Sequence, residues 1–244
     1  MLRNEIKITL IVILISHCAA LAQCDFQIKY KASINEIVIE DSIRQTDQEK
    51  HFVFAQKMRV KINAMYKDKS FTLDVKNDAS IFKPPTFMEV DNSTVLKLAD
   101  LFLSFPKKVY INKTQNLCIE ETDLGFEKVY YENKQDIKWQ ILKEEKQILG
   151  YTAQKAIAQV DVKFKEDETQ EFEVWFTKEI PCGFGPSNIH GLPGLILEIN
   201  TKNYNLKAHQ VITPAKETPK PLSEDLVDKN YFIKMNDKVK EMKY

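Results

Sequence analysis

Residues 171–200 read EFEVWFTKEIPCGFGPSNIHGLPGLILEIN, and this stretch decides the fold. Residues 171–176 alternate polar and apolar side chains, as a half-buried strand does. Residues 195–200 form a second, more apolar run. Between the two, residues 181–194 hold four of the six glycines (Gly183, Gly185, Gly191, Gly194) and three of the nine prolines (Pro181, Pro186, Pro193). Glycine reaches backbone angles that other residues resist, while proline fixes φ and removes a donor. Together they predict a loop of defined shape held between two strands. Within it, Pro193 presets the first central position of a β-turn, and Gly194 is expected to supply positive φ at the second. Leu192, preceding a proline, is pushed toward extended geometry. Residues 191–197 thus read as a turn that launches a core strand.

Outward from this stretch, alternation recurs at Phe26-Gln27-Ile28-Lys29-Tyr30, at Met58, Val60 and Ile62, and at Phe71, Leu73 and Val75. Further strands are expected over 108–111, 128–131, 137–141, 156–164 and 206–212. Loop signals separate them at Lys83-Pro84-Pro85, Asn133-Lys134, 165–169 and 201–203. Short strands in series favour an antiparallel sheet over βαβ units. Two segments carry helical spacing. Residues 91–105 place Val95, Leu98, Ala99 and Phe102 on one stripe, with Asp91, Asn92 or Ser93 as cap. Residues 223–243 place Leu226, Val227, Phe232, Met235 and Val239 on another, after Pro219 and Pro221. The expected class is α+β, mainly antiparallel β, a curved sheet or half-barrel with one or two packing helices. A signal peptide is expected at 1–22, one mainly-β domain at 23–213, and a Pro/Lys-rich connection with a C-terminal helix at 214–244.

The chain of 244 residues carries 35 Lys+Arg against 35 Asp+Glu and is 43% hydrophobic. Disorder needs lower hydrophobicity and higher net charge, and nucleic-acid binding wants a basic excess, so both are disfavoured. Arg3 and Lys7 precede an apolar run at 8–15, and Ala20-Leu21-Ala22 is a cleavage site of the signal-peptidase type. Spanning a bilayer takes roughly 20 apolar residues, and His17 and Gln23 stop this run short. Lipid attachment at Cys24 is the alternative, with bulky Gln23 where a small residue is wanted. The mature chain keeps Cys24, Cys118 and Cys182. An odd count permits at most one internal disulfide. Cys182 is read as packing rather than a staple, and a Cys118–Cys182 bridge is the rival reading.

The run Gly191-Leu192-Pro193-Gly194-Leu195-Ile196, with Trp175-Phe176, Ile180-Pro181 and Gly185-Pro186 before it, resembles the GLPGLI family of exported bacterial proteins. The likeness extends back through Lys155-Ala156, Gly150-Tyr151, Glu145-Lys146 and Trp139-Gln140-Ile141. Members place a cysteine where this chain has Ala153, whereas here a cysteine follows Ile180-Pro181. The resemblance implies a signal-bearing protein of the Gram-negative envelope, whether periplasmic, outer-membrane-associated or secreted, and names no activity. The alternation from Ile148 to Phe176 also resembles periplasmic lipoprotein carriers with a half-open barrel, a likeness of fold only.

Candidate chemistry centres on the loop. Cys182 as nucleophile and His190 as base would make a hydrolase, but no nucleophile motif surrounds Cys182. Cys182, His190 and His209 are a weak metal set without ligand spacing, so no metal and no cofactor are expected. Trp139 and Trp175 are read first as core and second as platforms for a sugar. Pro181, Gly185, Pro186, Gly191, Leu192, Pro193 and Gly194 are the candidate binding or structural motif. The function expected is a non-catalytic exported protein binding an apolar ligand, a lipid or an envelope protein on its curved sheet. The alternative is a hydrolase or metal-handling protein using Cys182 and His190.

Overall fold

The structure is a computed structural model that describes residues 24–36, 47–87, 95, 99, 107–123, 128–133, 136–161 and 169–228. Eleven strands form one sheet: β1 (Asp25–Ile34), β2 (Phe71–Lys76), β3 (Ala79–Lys83), β4 (Val109–Asn112), β5 (Leu117–Asp123), β6 (Lys128–Glu132), β7 (Gln140–Ile148), β8 (Tyr151–Asp161), β9 (Thr169–Thr177), β10 (Leu195–Asn200) and β11 (Tyr204–Ile212). Their order is β6-β5-β4-β3-β2-β1-β11-β10-β9-β8-β7, every ladder is antiparallel, and β6 and β7 are its two ends. The sheet is therefore two meanders. The first runs outward from β1 to β6. The second begins at the far end with β7 and returns until β11 zips onto β1, pairing Gln27 with Ile212 and Ile34 with Tyr204.

Register fixes which side chains share a face, because partners across a ladder point the same way. Phe26, Ile28 and Tyr30 face Val75, Leu73 and Phe71 across β1–β2. Leu73 faces Phe82, which faces Val109. Tyr30 and Ala32 face Ala208 and Leu206 on the other flank. All of these are buried, so the alternation of the sequence becomes one apolar layer. Tyr66, Phe71 and Phe82 stack in series at 5.8 Å between ring centroids. Fully buried Tyr30 donates its hydroxyl to the Ile196 carbonyl at 2.7 Å, satisfying a group that would otherwise be costly inside a core. Burial pushes that phenol far above its ordinary pKa.

The expected strand through Met58, Val60 and Ile62 is instead part of a helix, α1 (Asp47–Tyr66). Met58, Ile62 and Tyr66, four residues apart, are its buried stripe, while Val60 stands 61% exposed. The four-residue spacing, not the local alternation, carries the packing. Arg59 ties α1 to the rim of the sheet, donating to the carbonyls of Asn35 and Asn203 and to Asn203 Oδ1. Strands β3 and β5, and most of β7, lie where no strand is expected from sequence. Of the expected helix at 91–105, Val95 and Ala99 are described; both are helical and buried, and the remainder lies outside the described residues. The part of the expected helix 223–243 that is described, 223–228, is not helical. Residues 214–228 run as a strap, anchored by Ala215 N on Asp25 Oδ1 at 2.9 Å, an ion pair of Glu217 with Lys83, and Val227 N on the Tyr130 carbonyl at 2.8 Å. Val227 bridges Tyr131 in parallel, covering part of the β6 edge. The signal segment 1–22 lies outside the described residues.

Candidate functional site

The loop between β9 and β10 is built from its own backbone. Cys182 N and Leu195 N both donate to the Ile180 carbonyl, Gly191 N to Gly183, and Ile196 N to Phe184. These bonds bring the two ends of the loop together and leave its tip, residues 189–192, folded back on the sheet. Ile189 and Leu192 pack there with Ala156, Val174, Phe176, Ile196 and Ile199. Gly191 takes positive φ (+92°) at the tip, and its neighbour His190 offers its carbonyl to Trp139 Nε1 at 2.9 Å. Positive φ thus falls on Gly191, not on Gly194 as the turn chemistry suggests. Gly194 is required for space: a Cβ there would stand 1.9 Å from the Thr177 carbonyl oxygen.

Cys182 is joined to Cys24, with Cα atoms 6.1 Å apart. Both cysteine expectations fail here. Cys182 is a staple and not mere packing, and its partner is Cys24 rather than Cys118. A sulfur held in a disulfide is no nucleophile and no thiolate ligand, so the pairing of Cys182 with His190 as a hydrolase or metal site is lost as well. Nor has Cys24 a thiol left to carry a lipid. Sequence could not choose among three cysteines; the fold does, by bringing the start of β1 beneath the loop. Disulfides persist in oxidising compartments, in keeping with the export signal. Among the described residues, no group of three His, Cys, Asp or Glu side chains could hold a metal ion.

What the loop tip does form is one wall of a groove of about 610 Å³. His190, Gly191 and Leu192 line one side. The β4–β5 hairpin lines the other with Ile111, Asn112, Lys113, Asn116, Leu117 and Cys118, and Asn133 and Asp136 close it. In the sheet β5 and β10 are six strand steps apart, roughly 29 Å on a flat sheet. The curl of the sheet and the inward fold of the loop close that gap. Of the motif residues expected, His190, Gly191 and Leu192 reach the groove wall and Trp139 braces it. Pro181, Pro193 and Gly194 are not among its lining. Gly185 and Pro186 are buried in the loop and are not part of the lining either. Cys118 apart, weighed from sequence only as a disulfide partner, the hairpin residues were not singled out as site candidates, since an Asn-Lys-Thr-Gln-Asn turn looks like any solvated loop.

The lining of the groove mixes polar side chains with the apolar Ile111, Leu117 and Leu192. Lys113 Nζ sits 4.0 Å from the centroid of the Phe184 ring. Burial holds its pKa below the ordinary lysine value, with Asp78 opposing. Burial and the nearby Lys113 charge likewise hold His190 below the ordinary imidazole value. Behind the wall, fully buried Glu120 accepts from Tyr131 Oη at 2.8 Å and from Asn133 Nδ2 at 2.7 Å, which orients the Asn133 amide. Among the described residues, no side-chain hydrogen bond or ion pair engages Lys113 Nζ, Asp136, the His190 ring or the Asn116 amide. That is four unspent polar groups in one concavity.

Trp175 lies elsewhere, in a cross-strand row running Lys155, Trp175, Glu198, Lys207. It is 8% exposed, with Lys146 Nζ 4.1 Å from its ring centroid, and Lys146 in turn meets Glu198 at 2.9 Å. Lys146 reaches across because its partner on β8 is Ala153, which has no bulk to block it. Lysines and carboxylates in this row answer one another, and Trp175 is packing within it.

Two solved structures of PNGF-II, in C2 and P21 crystal forms, are similar to this chain in fold, each with a TM-score of 0.50. Identity is 17% and 16%, over 88% and 86% of this chain; in both cases the chain spans 32% of the length of PNGF-II. No curated protein matches the chain in sequence. The family model described as "N-glycanase peptide, N-terminal domain" matches residues 28–239, and no GLPGLI match accompanies it. The GLPGLI resemblance is thereby overturned. Its physical source is plain: Gly194 is spelled by the Thr177 contact and Leu195, Ile196 and Leu197 by complete burial, so six residues record a local folding requirement. With all but the ends of the chain inside one family model, the chain belongs to the N-glycanase peptide N-terminal domain family.

Proposed function

We propose that this is an exported, non-catalytic module that binds the glycan portion of glycoconjugates in the groove between the β4–β5 hairpin and the loop tip. The observation that carries this reading is the composition of that groove. Saccharides present hydroxyls around their edges and C–H surfaces on their faces, and the groove offers unspent Asn116, Asp136, His190 and Lys113 beside Ile111, Leu117 and Leu192. Amides and charged groups beside apolar side chains suit such a ligand. A lipid tail would leave those polar groups buried without partners, at a cost, which counts against the apolar-ligand expectation. Membership of a family named for an N-glycanase domain supports the same ligand class. The chain spans 32% of the length of PNGF-II, so the activity of that whole protein is not carried over to it.

The test is calorimetric titration of the purified chain with neutral N-glycans released from glycoproteins, alongside Asn116→Ala and His190→Ala variants checked for unaltered unfolding. Saturable binding by the parent, weakened at least tenfold by each variant, is expected. Undiminished binding by both variants would place the ligand elsewhere, and turnover of the glycan would refute the non-catalytic assignment.

A further inference from the structure

We infer that the groove selects saccharides bearing a carboxylate, with Lys113 and His190 as its anion-binding pair. This rests on the saccharide reading above and sharpens it. Lys113 stands exposed on the β4–β5 hairpin, and among the described residues no acceptor takes its ammonium. Lys113 has instead the face of Phe184, 4.0 Å away, and the more distant influence of Asp78. Asp78 is itself engaged, accepting from Thr114 Oγ1 at 2.8 Å. The ammonium is therefore placed and electrostatically under-compensated. His190 lies on the opposite wall of the same groove, its imidazole held below the ordinary value by burial first and by that same ammonium second. Two positively disposed side chains line one space, and the Lys113 charge makes the His190 imidazole harder to protonate.

An anion between them relieves both. Its charge stabilises the ammonium of Lys113 and favours protonation of His190, so binding takes up part of a proton as pH falls toward the ordinary histidine value. Asp136 and the thiol of Cys118 also line the groove. Asp136 opposes the anion, and with two donors against one carboxylate the balance still favours a singly charged ligand. A carboxylate concentrates one charge on two basic oxygens, each a strong acceptor for an ammonium or imidazolium N–H. A sulfate ester spreads the same single charge over three weakly basic oxygens, so each contact with Lys113 or His190 is weaker. Asn116 and the oriented Asn133 amide remain for neighbouring hydroxyls.

The experiment titrates the full chain with three probes at pH 6.0 and low salt: a complex N-glycan ending in sialic acid, the same glycan after desialylation, and a 6-sulfated counterpart. The sialylated glycan should bind about tenfold more tightly than the neutral one, in line with one charge-assisted contact. The advantage should shrink in high salt. Lys113→Met removes the ammonium over Phe184 and should erase the advantage, so that the variant binds the sialylated and neutral glycans alike. Equal affinity for the sialylated and neutral glycans, or an advantage that survives in Lys113→Met, overturns this inference and leaves the saccharide reading standing. Equal preference for sulfate overturns the carboxylate assignment. Failure of all three probes removes the saccharide reading and this inference with it.

Discussion

Removing the disulfide should cost this protein a large part of its stability, and the size follows from where it lies. Cys24 and Cys182 are 158 residues apart, so the bridge closes most of the chain into one loop. The loop-closure expression gives about 5 kcal/mol at 25 °C for that length. Whole domains are held by only about 5–15 kcal/mol, so the bridge alone is a third or more of a typical total. The perturbation is the double variant Cys24→Ala/Cys182→Ala, compared with the parent with and without reductant. Reduction keeps both sulfurs in place and isolates the cross-link. The alanines add the loss of a sulfur from Cys182, which is 5% exposed. Urea unfolding followed by tryptophan fluorescence should show the reduced parent less stable by about 3–5 kcal/mol, and the double variant lower again by about 1 kcal/mol. Peptide mapping without reductant should find Cys24 joined to Cys182 and a thiol on Cys118. A reduced parent within 1 kcal/mol of the oxidised one would refute the reasoning, as would alkylation of Cys182 before reduction.

Two further outcomes are expected. Gly194→Ala should destabilise by about 2–3 kcal/mol or more, since its Cβ would overlap the Thr177 carbonyl, and Gly194→Asn should be no better. Gly191→Ala, where there is room but φ is +92°, should cost only about 1 kcal/mol, with Gly191→Asn milder still; equal losses at the two glycines in urea unfolding would contradict the distinction. Burial and the Lys113 charge hold His190 below the ordinary imidazole value of 6.5 in the folded state, so the unfolded chain binds the extra proton first. Stability should therefore fall as pH drops through 6.5 toward the depressed value and level off beneath it, with His209, also depressed, adding to the same slope. His190→Gln should flatten the profile, and an unchanged profile would count against burial of a neutral imidazole.

How far the sequence could be read depended on whether a residue's reason for being there was local. The strands at 26–30, 71–75 and 171–176 were legible because burial of one sheet face writes itself as alternation, that at 195–200 because burial of both faces writes itself as an apolar run, and the glycine-rich loop because backbone constraints write themselves as Gly and Pro. Met58, Val60 and Ile62 misled for the same reason: three alternate apolar residues satisfy a strand pattern, yet only Met58 and Ile62 face the core, and the deciding partner, Tyr66, lies outside that window. Strand β5 was hidden because its core face carries Cys118 and Glu120, and a buried glutamate reads as a surface residue until Tyr131 and Asn133 are seen to answer it. Gly194 was recognised and its reason mistaken, since a missing Cβ looks the same whether it permits a torsion or a contact.

The groove was illegible for a deeper reason. Its two walls, residues 111–118 and 190–192, are more than 70 positions apart in the chain and six strands apart in the sheet. The motif that runs through Gly191 and Leu192 points to no partner wall, because each wall is fixed by its own hairpin or loop and not by the other. What joins them is the return of the second meander onto β1, sealed by β1–β11 pairing and by the Cys24–Cys182 bridge. Anything that loosens that closure should therefore move one wall against the other before it unfolds either meander. Ligand affinity in the groove would then respond to reductant at urea concentrations where the strands are still formed. Measured by titration of the reduced and oxidised protein, a loss of affinity that only accompanies global unfolding would show instead that the walls are held by the sheet alone.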